Sequence, residues 1–418
     1  MTQAGEAGGT RLDRAVAKVV EDGRCSGCGG CVQLDRGLEM ALDEHGFLRP
    51  RRRPGTRPDP EDDRRAAALF RRSCPGVRVQ RTEVRGARWH PTMGGYLEAW
   101  SAAATDPETR HRGSSGGVLT ALSAWLAEQG VPAVVARADR PDPRRTVSVQ
   151  ITTREEALAA AGSRYNPVAA AAHPGATDPS GVVTGKPCEV AALRQLEQAT
   201  GERGPLLLSF FCAGTPSQQA TDRVLDRLGV EPGVPLRDLW FRGRGWPGRF
   251  TAVTADGQSP SLSYDESWGA VLGPAVQWRC KICPDGVGDL SDITAADFWE
   301  ADEKGYPLFG EQDGRSALLA RTPRGRDVVR AAVAAGVLTV APLDVDALAG
   351  VQPFQRQRRS TLVGRGIGSR LAGRALPRYR GFGLWSLAVR RLRANVRAGR
   401  GTFRRVRASR REGRTGPA

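Results

Sequence analysis

The chain has 418 residues, 40% of them apolar, with 62 basic against 45 acidic side chains and a net charge of +17. That length leaves room for two or three domains, and no apolar run approaches the ~18 residues of a membrane span. The charge does not mark a nucleic-acid binder, because it is local: residues 356–418 hold 19 arginines, no lysine and one acid, Glu412, while the rest is near neutral and carries no aromatic-interleaved basic platform.

In chain order, the first signal is CSGCGGC, with Cys25, Cys28 and Cys31, followed downstream by Cys74-Pro75. C-x2-C-x2-C plus a distant Cys-Pro is the ligand pattern of a ferredoxin-type 4Fe-4S cluster. Asp35 stands where a two-cluster ferredoxin has its further cysteine, so residues 1–85 read as a single-cluster module closed by Cys74. The stretch RPRRRPGTRPDPEDDRR between them reads as a surface loop.

Residues 86–355 alternate between strand and helix signals. Ser114-Ser115-Gly116-Gly117 precedes VLTALSAWLAEQ, whose Leu119, Leu122 and Leu126 form a stripe before Gly130: a helix with a Ser cap and a Gly stop. VPAVVARA reads as a strand. SGVVT, the GKP turn and CEVAALRQLEQATG read as strand, turn and helix, and PLLLSFF with CAGTPSQQATDRVLDRLG repeats the pattern. This grammar predicts an α/β core with a largely parallel sheet.

The remaining cysteines are Cys188, Cys212, Cys280 and Cys283, the last two in RCKICPD. They form a second four-ligand set if the fold gathers them; a zinc knuckle at Cys280/Cys283 with two buried structural cysteines stays open. Cys188 and Cys212 would both follow strand ends, the edge of an α/β sheet where ligands collect. The start MTQAGEAGGT lacks a signal-peptide pattern, which points to the cytoplasm and away from disulfides.

Two motif matches fail in context. GSSGG at 113–117 fits a nucleophile elbow, but TDPETRHRG before it is unlike a buried strand. GRGWPG at 243–248 should open a helix to bind a dinucleotide, yet RFTAVTA after it reads as a strand. The SSGG segment suits an anion instead: a glycine pair at a helix start exposes N–H groups, and Arg112 adds charge. In the Arg-rich tail, LWSLAVRRLRANV sets Trp385, Ala388, Leu392 and Val396 at helical spacing. That is either a basic amphipathic helix for an anionic membrane surface or acidic partner, or a solvated and partly disordered extension.

Five segments in order, HRGSSGGVLTAL, GSRYNPVA, GKPCEVAALR, FFCAGTPS with FRGRGWPG, and CKICPDGVGDLSDITAADFW, make the chain resemble the beta subunits of coenzyme F420 hydrogenase/dehydrogenase, a family that also contains 7-hydroxymethyl chlorophyll a reductase. The resemblance spans about residues 20–340. It implies an α/β (α+β) flavin-binding core at 86–355 behind the ferredoxin-like module, while the basic helical or disordered tail from 356 lies outside it. It further implies FAD and two 4Fe-4S clusters, with Cys188, Cys212, Cys280 and Cys283 ligating the flavin-proximal one. Ser114, Ser115, Gly116 and Gly117 would contact FAD, while Tyr165, Lys186 and Asp297 line the flavin site and Lys186 stabilises its anionic reduced form. The implied activity is an oxidoreductase moving electrons between coenzyme F420 and a partner or substrate. Its rivals are a ferredoxin-fed reductase of an organic substrate and a non-catalytic relay subunit within a larger complex.

Overall fold

Residues 9–302, 308 and 313–411 are described by the computed structural model. An eight-stranded sheet organises the core, in the spatial order Leu338–Pro342, Glu98–Ala104, Ser316–Ala320, Ile293–Asp297, Leu206–Phe210, Val182–Gly185, Ala133–Ala138, Thr146–Ile151. The four strands from Ile293–Asp297 to Ala133–Ala138 are parallel. The other four neighbour pairs are antiparallel, so the sheet is mixed and not largely parallel. Apolar periodicity reports burial but not chain direction, which is why the sequence does not reveal how the outer strands run.

Successive residues of the Leu206–Phe210 strand face opposite ways. Leu206 and Leu208 pack with Leu122 and Leu126 of the Val118–Glu128 helix, while Leu207 packs with Val190 and Leu193 of the Pro187–Thr200 helix. Helices on both faces give a three-layer core. The Val118–Glu128 helix has no Ser cap: Gly117 occupies the cap position at φ +70° with no side-chain hydrogen bond. A Cβ at Gly117 would stand 2.6 Å from Thr109 O, so only glycine fits there. The expected stop holds, with Gly130 at φ +78°.

At the N-terminus, Arg11–Glu21 starts at a Thr10/Asp13 capping box and precedes the Leu38–Leu42/Leu48–Arg52 hairpin. The charged stretch expected to be a loop is instead partly strand and partly helix. Pro60–Ser73 begins at an Asp59 cap, with Pro60 at its first position and Glu61, Asp62 and Asp63 in its first turn.

The basic tail is helical across most of its described residues: Pro353–Ser360, Leu362–Leu371, Leu384–Arg390 and Leu392–Arg411. Much of it is packed, contrary to a solvated extension. Arg358 and Arg359 are buried, and Arg378–Arg380 pairs in parallel with Arg78–Gln80. The single amphipathic helix expected around Trp385 is broken at Arg391, and Ala388 is buried. Among the described residues no helix is long and apolar enough to cross a membrane.

Candidate functional site

The C-terminal edge of the parallel strands gathers most of the candidate residues. Val182–Gly185 runs into Lys186, Pro187 and Cys188, and its neighbour Leu206–Phe210 runs into Cys212. Asp297 ends the adjacent parallel strand. Gly116 joins the same edge: its N–H donates to Ser316 Oγ at 3.0 Å and its carbonyl accepts from Ala104 N at 2.7 Å.

The four N-terminal cysteines line one small cavity with Val16, Val19, Met40 and Phe70. The loop that carries them is pressed onto the core, because a Cβ at Gly29 would sit 2.6 Å from the Ala172 Cβ. Burial, followed by repulsion among neighbouring thiols, raises the Cys28, Cys31 and Cys74 pKa values. Four cysteines around one apolar cavity suit a cluster that takes them as thiolates. Among the described residues no three His, Cys, Asp or Glu side chains close on a single-ion site.

In the second set, Cys280 Sγ accepts from Thr215 N at 3.3 Å, and the Cys283 thiol donates to Asp285 O at 3.3 Å. Burial and then Cys280 push the Cys212 thiol up to about 12, against the pull of Arg358. Cys188 is raised by burial, opposed by Lys186, and feels both Cys28 and Cys212. Cys188, a member of the second set, thus feels the charge of Cys28 in the first.

The segment Gln277–Lys281 ties the sets together. Gln277 Nε2 donates to Ser26 O at 2.9 Å, within the first cysteine loop, and Arg279 Nη2 donates to Pro75 O at 3.1 Å, beside Cys74. Arg279 is 2% exposed, and among the described residues its Nε and Nη1 have no hydrogen-bond partner. Burial would lower its pKa, but Tyr379 and the Cys283, Cys188 and Cys280 charges carry it above the ordinary value. A buried cation with spare donors beside both sets fits anionic, thiolate-ligated groups.

Lys186 is buried. Its Nζ donates to Val168 O at 2.8 Å and to Glu189 Oε1 at 2.6 Å. Burial acts to lower its pKa, but Glu189 and Cys188 raise it, so the ammonium persists. Ser114, Tyr165 and Asp297 are linked by a residue that sequence reasoning missed, Arg242. Its guanidinium pairs with Asp297, donates to Ser114 O at 2.5 Å and lies 5.7 Å from the Tyr264 ring centroid. Burial and the Asp297 charge raise the Tyr165 pKa while Arg242 opposes them. Arg242 lies within the FRGRGWPG segment, and that is its only signal.

Other expected FAD contacts are already engaged. Ser114 Oγ accepts from Ser163 N at 2.5 Å, Ser115 Oγ donates to Arg315 O at 2.5 Å, and Arg112 pairs with Glu108 at 3.2 Å. Arg358 belongs to the Arg-rich tail, yet its Nη1 donates to Cys212 O at 2.8 Å. The two rejected motifs remain rejected: Pro107–Arg112 before GSSGG is a helix, and GRGWPG joins the antiparallel strands Leu236–Trp240 and Phe250–Thr254.

Comparisons with known proteins fall on this core. Residues 99–173 match the N-terminal region, and residues 180–346 the C-terminal region, of the family described as coenzyme F420 hydrogenase/dehydrogenase, beta subunit. The first cysteine module and the C-terminal helices lie outside those spans, a narrower range than the resemblance suggested. The coenzyme F420 hydrogenase subunit beta of Methanococcus voltae is 27% identical over 263 residues, 60% of this chain and 86% of the relative. The corresponding Methanothermobacter thermautotrophicus protein is 26% identical over 267 residues, 60% of this chain and 86% of the relative. A chain of the F420-reducing [NiFe] hydrogenase complex from Methanosarcina barkeri shares the fold, with TM-score 0.50 and 23% identity over 67% of this chain and 95% of that one. With both halves of the family matched in order along the sheet that carries Lys186, Cys212 and Asp297, the chain belongs to the coenzyme F420 hydrogenase/dehydrogenase beta-subunit family of oxidoreductases.

Proposed function

We propose that this chain is a flavin- and iron–sulfur-dependent oxidoreductase that moves electrons between coenzyme F420 and a partner or substrate. The observation that carries the reading is the joining of two four-cysteine sets by one short segment, with Arg279 buried beside both. Cys25, Cys28, Cys31 and Cys74 would hold one 4Fe-4S cluster, and Cys188, Cys212, Cys280 and Cys283 the other. Residues 114–117, Tyr165, Lys186 and Asp297 would hold FAD. A flavin exchanges hydride with a deazaflavin and single electrons with clusters, which is the chemistry needed between those two carriers.

The chain's own groups do the rest. Glu189 holds Lys186 in place as a fixed cation at the strand edge, where it favours an anionic ring system. Arg242 orients Asp297 and the Ser114 backbone in one unit. Arg279 and Arg358 offset negative charge at the cysteines, and the apolar wall of Val16, Val19 and Phe70 keeps water from the first set.

The test is an anaerobic visible spectrum of reconstituted protein before and after reduced coenzyme F420, with flavin and iron assayed in parallel. The reading expects loss of flavin absorbance together with the broad cluster absorbance. Reduction by ferredoxin and not by reduced F420 would move the assignment to a ferredoxin-fed reductase. A colourless protein after reconstitution would overturn the redox reading altogether.

A further inference from the structure

The C-terminal helices carry a surface that the redox chemistry does not use. Leu362–Leu371 and Leu392–Arg411 pack side by side: a Cβ at Gly364 would fall 2.1 Å from Asn395 O, and one at Gly368 would fall 2.1 Å from Gly399 O. Both numbers rise together along the seam, so the helices run parallel. At about 100° per residue, Ile367 and Leu371 are rotated to one side of the Gly364–Gly368 seam. Leu392 and Val396 are rotated the opposite way from the Asn395–Gly399 seam. In a parallel pair those opposite offsets bring all four side chains onto the same flank.

The other flank is the one attached to the body, through Leu362, which packs with Trp278 and Ile282. The apolar stripe thus faces away from the protein. The preceding helix exposes Trp385 and Val389 as well, so the C-terminal helices carry six large apolar side chains that are 47–74% exposed. Arg370 borders it on one side, and Arg393, Arg400 and Arg407, at seven-residue spacing, border it on the other. Residues 353–411 contain 18 arginines and no acid.

We propose that this helix pair seats the protein on an anionic lipid surface. Arginine borders match negatively charged headgroups, and the stripe supplies bulk for the boundary between headgroups and acyl chains. A purely acidic protein partner would satisfy the arginines but leave the stripe unmatched. A second copy would bring the same dense positive charge against itself. The tight glycine seam holds the two apolar rows in one fixed surface before any membrane is met. This proposal is independent of the redox reading.

The test uses the full chain, floated with vesicles of phosphatidylglycerol and phosphatidylcholine or of phosphatidylcholine alone, at low and high salt. The protein should float with the anionic vesicles only, and less at high salt. Leu392→Ser/Val396→Ser and Trp385→Ser/Val389→Ser, all at exposed positions, should each lower the bound fraction about tenfold, with unchanged circular dichroism. Four results would overturn the proposal. They are no flotation, equal flotation with neutral vesicles, anionic binding insensitive to the apolar variants, and a concentration-dependent dimer abolished by those variants.

Discussion

Replacing Glu189 by alanine should destabilise this protein more than replacing Lys186, its ion-pair partner. The Glu189 carboxylate is 1% exposed and accepts three hydrogen bonds, from Lys186 Nζ at 2.6 Å, Lys186 N at 2.7 Å and Ala170 N at 2.9 Å. Alanine leaves a buried ammonium with only Val168 O and strands two buried N–H groups. Breaking a buried pair in that way costs about 3–5 kcal/mol. Lys186→Met leaves the carboxylate with its two backbone donors, and the expected cost is about 2–3 kcal/mol. Lys186→Met/Glu189→Ala still strands the two backbone N–H groups but leaves no buried charge, so it should cost less than the sum of the two single variants by about 2 kcal/mol. Urea unfolding of the anaerobic apoprotein at neutral pH, followed by circular dichroism, measures every one of these species. A coupling energy below about 0.5 kcal/mol, or Lys186→Met costing more than Glu189→Ala, would refute the reasoning. The pH dependence has a definite sign. The folded pKa of Lys186 lies above 10.5, so its contribution is complete below that pH and is lost as pH rises through the folded value.

Three further outcomes follow from the same structure. Gly368→Ala should destabilise by about 1–3 kcal/mol because its Cβ meets a backbone carbonyl, whereas Gly401→Ala should stabilise by about 0.5–1 kcal/mol; its Cβ meets only the Arg405 guanidinium, at 3.4 Å, and thermal unfolding would show the opposite signs. His173 Nδ1 accepts from Gly175 N at 3.1 Å, and burial lowers its pKa. Stability should therefore fall as pH drops below 6.5, and His173→Asn, which keeps an acceptor at the cap, should flatten that slope in unfolding titrations between pH 7 and 5. Arg279→Met should make the reconstituted protein lose iron to a chelator about tenfold faster, while Arg279→Lys, which retains the charge, should lie between it and the parent.

The strand–turn–helix units at 182–200 and 206–227 are legible because buried parallel strands read as apolar runs punctuated by Gly, Pro and polar caps. The placement of Cys188 and Cys212 at neighbouring strand ends follows from the same reading. The Pro60–Ser73 helix is hidden by its charge, although Asp59-Pro60 and the acids after it are helix-start signals. Arg242 and Arg358 are illegible for a different reason. Arginine normally marks a surface, and their partners Asp297 and Cys212 lie 55 and 146 residues away in sequence. No local pattern records a pairing at that range, so the two guanidiniums had to be found in space.

The late position of Arg358 has a consequence for how the protein is made. Cys283, the last of the eight cysteines, precedes Arg358 by 75 residues, a distance that takes roughly 4–15 s to synthesise at about 5–20 residues per second. Throughout that interval the Cys212 loop lacks the Pro353–Ser360 helix that later lies over it. Vectorial synthesis therefore leaves a window in which both sets of thiols are on the nascent chain and the last-made helices have yet to close over the second. Termination or proteolysis between Cys283 and Arg358 would leave all eight cysteines in place but the second set uncovered.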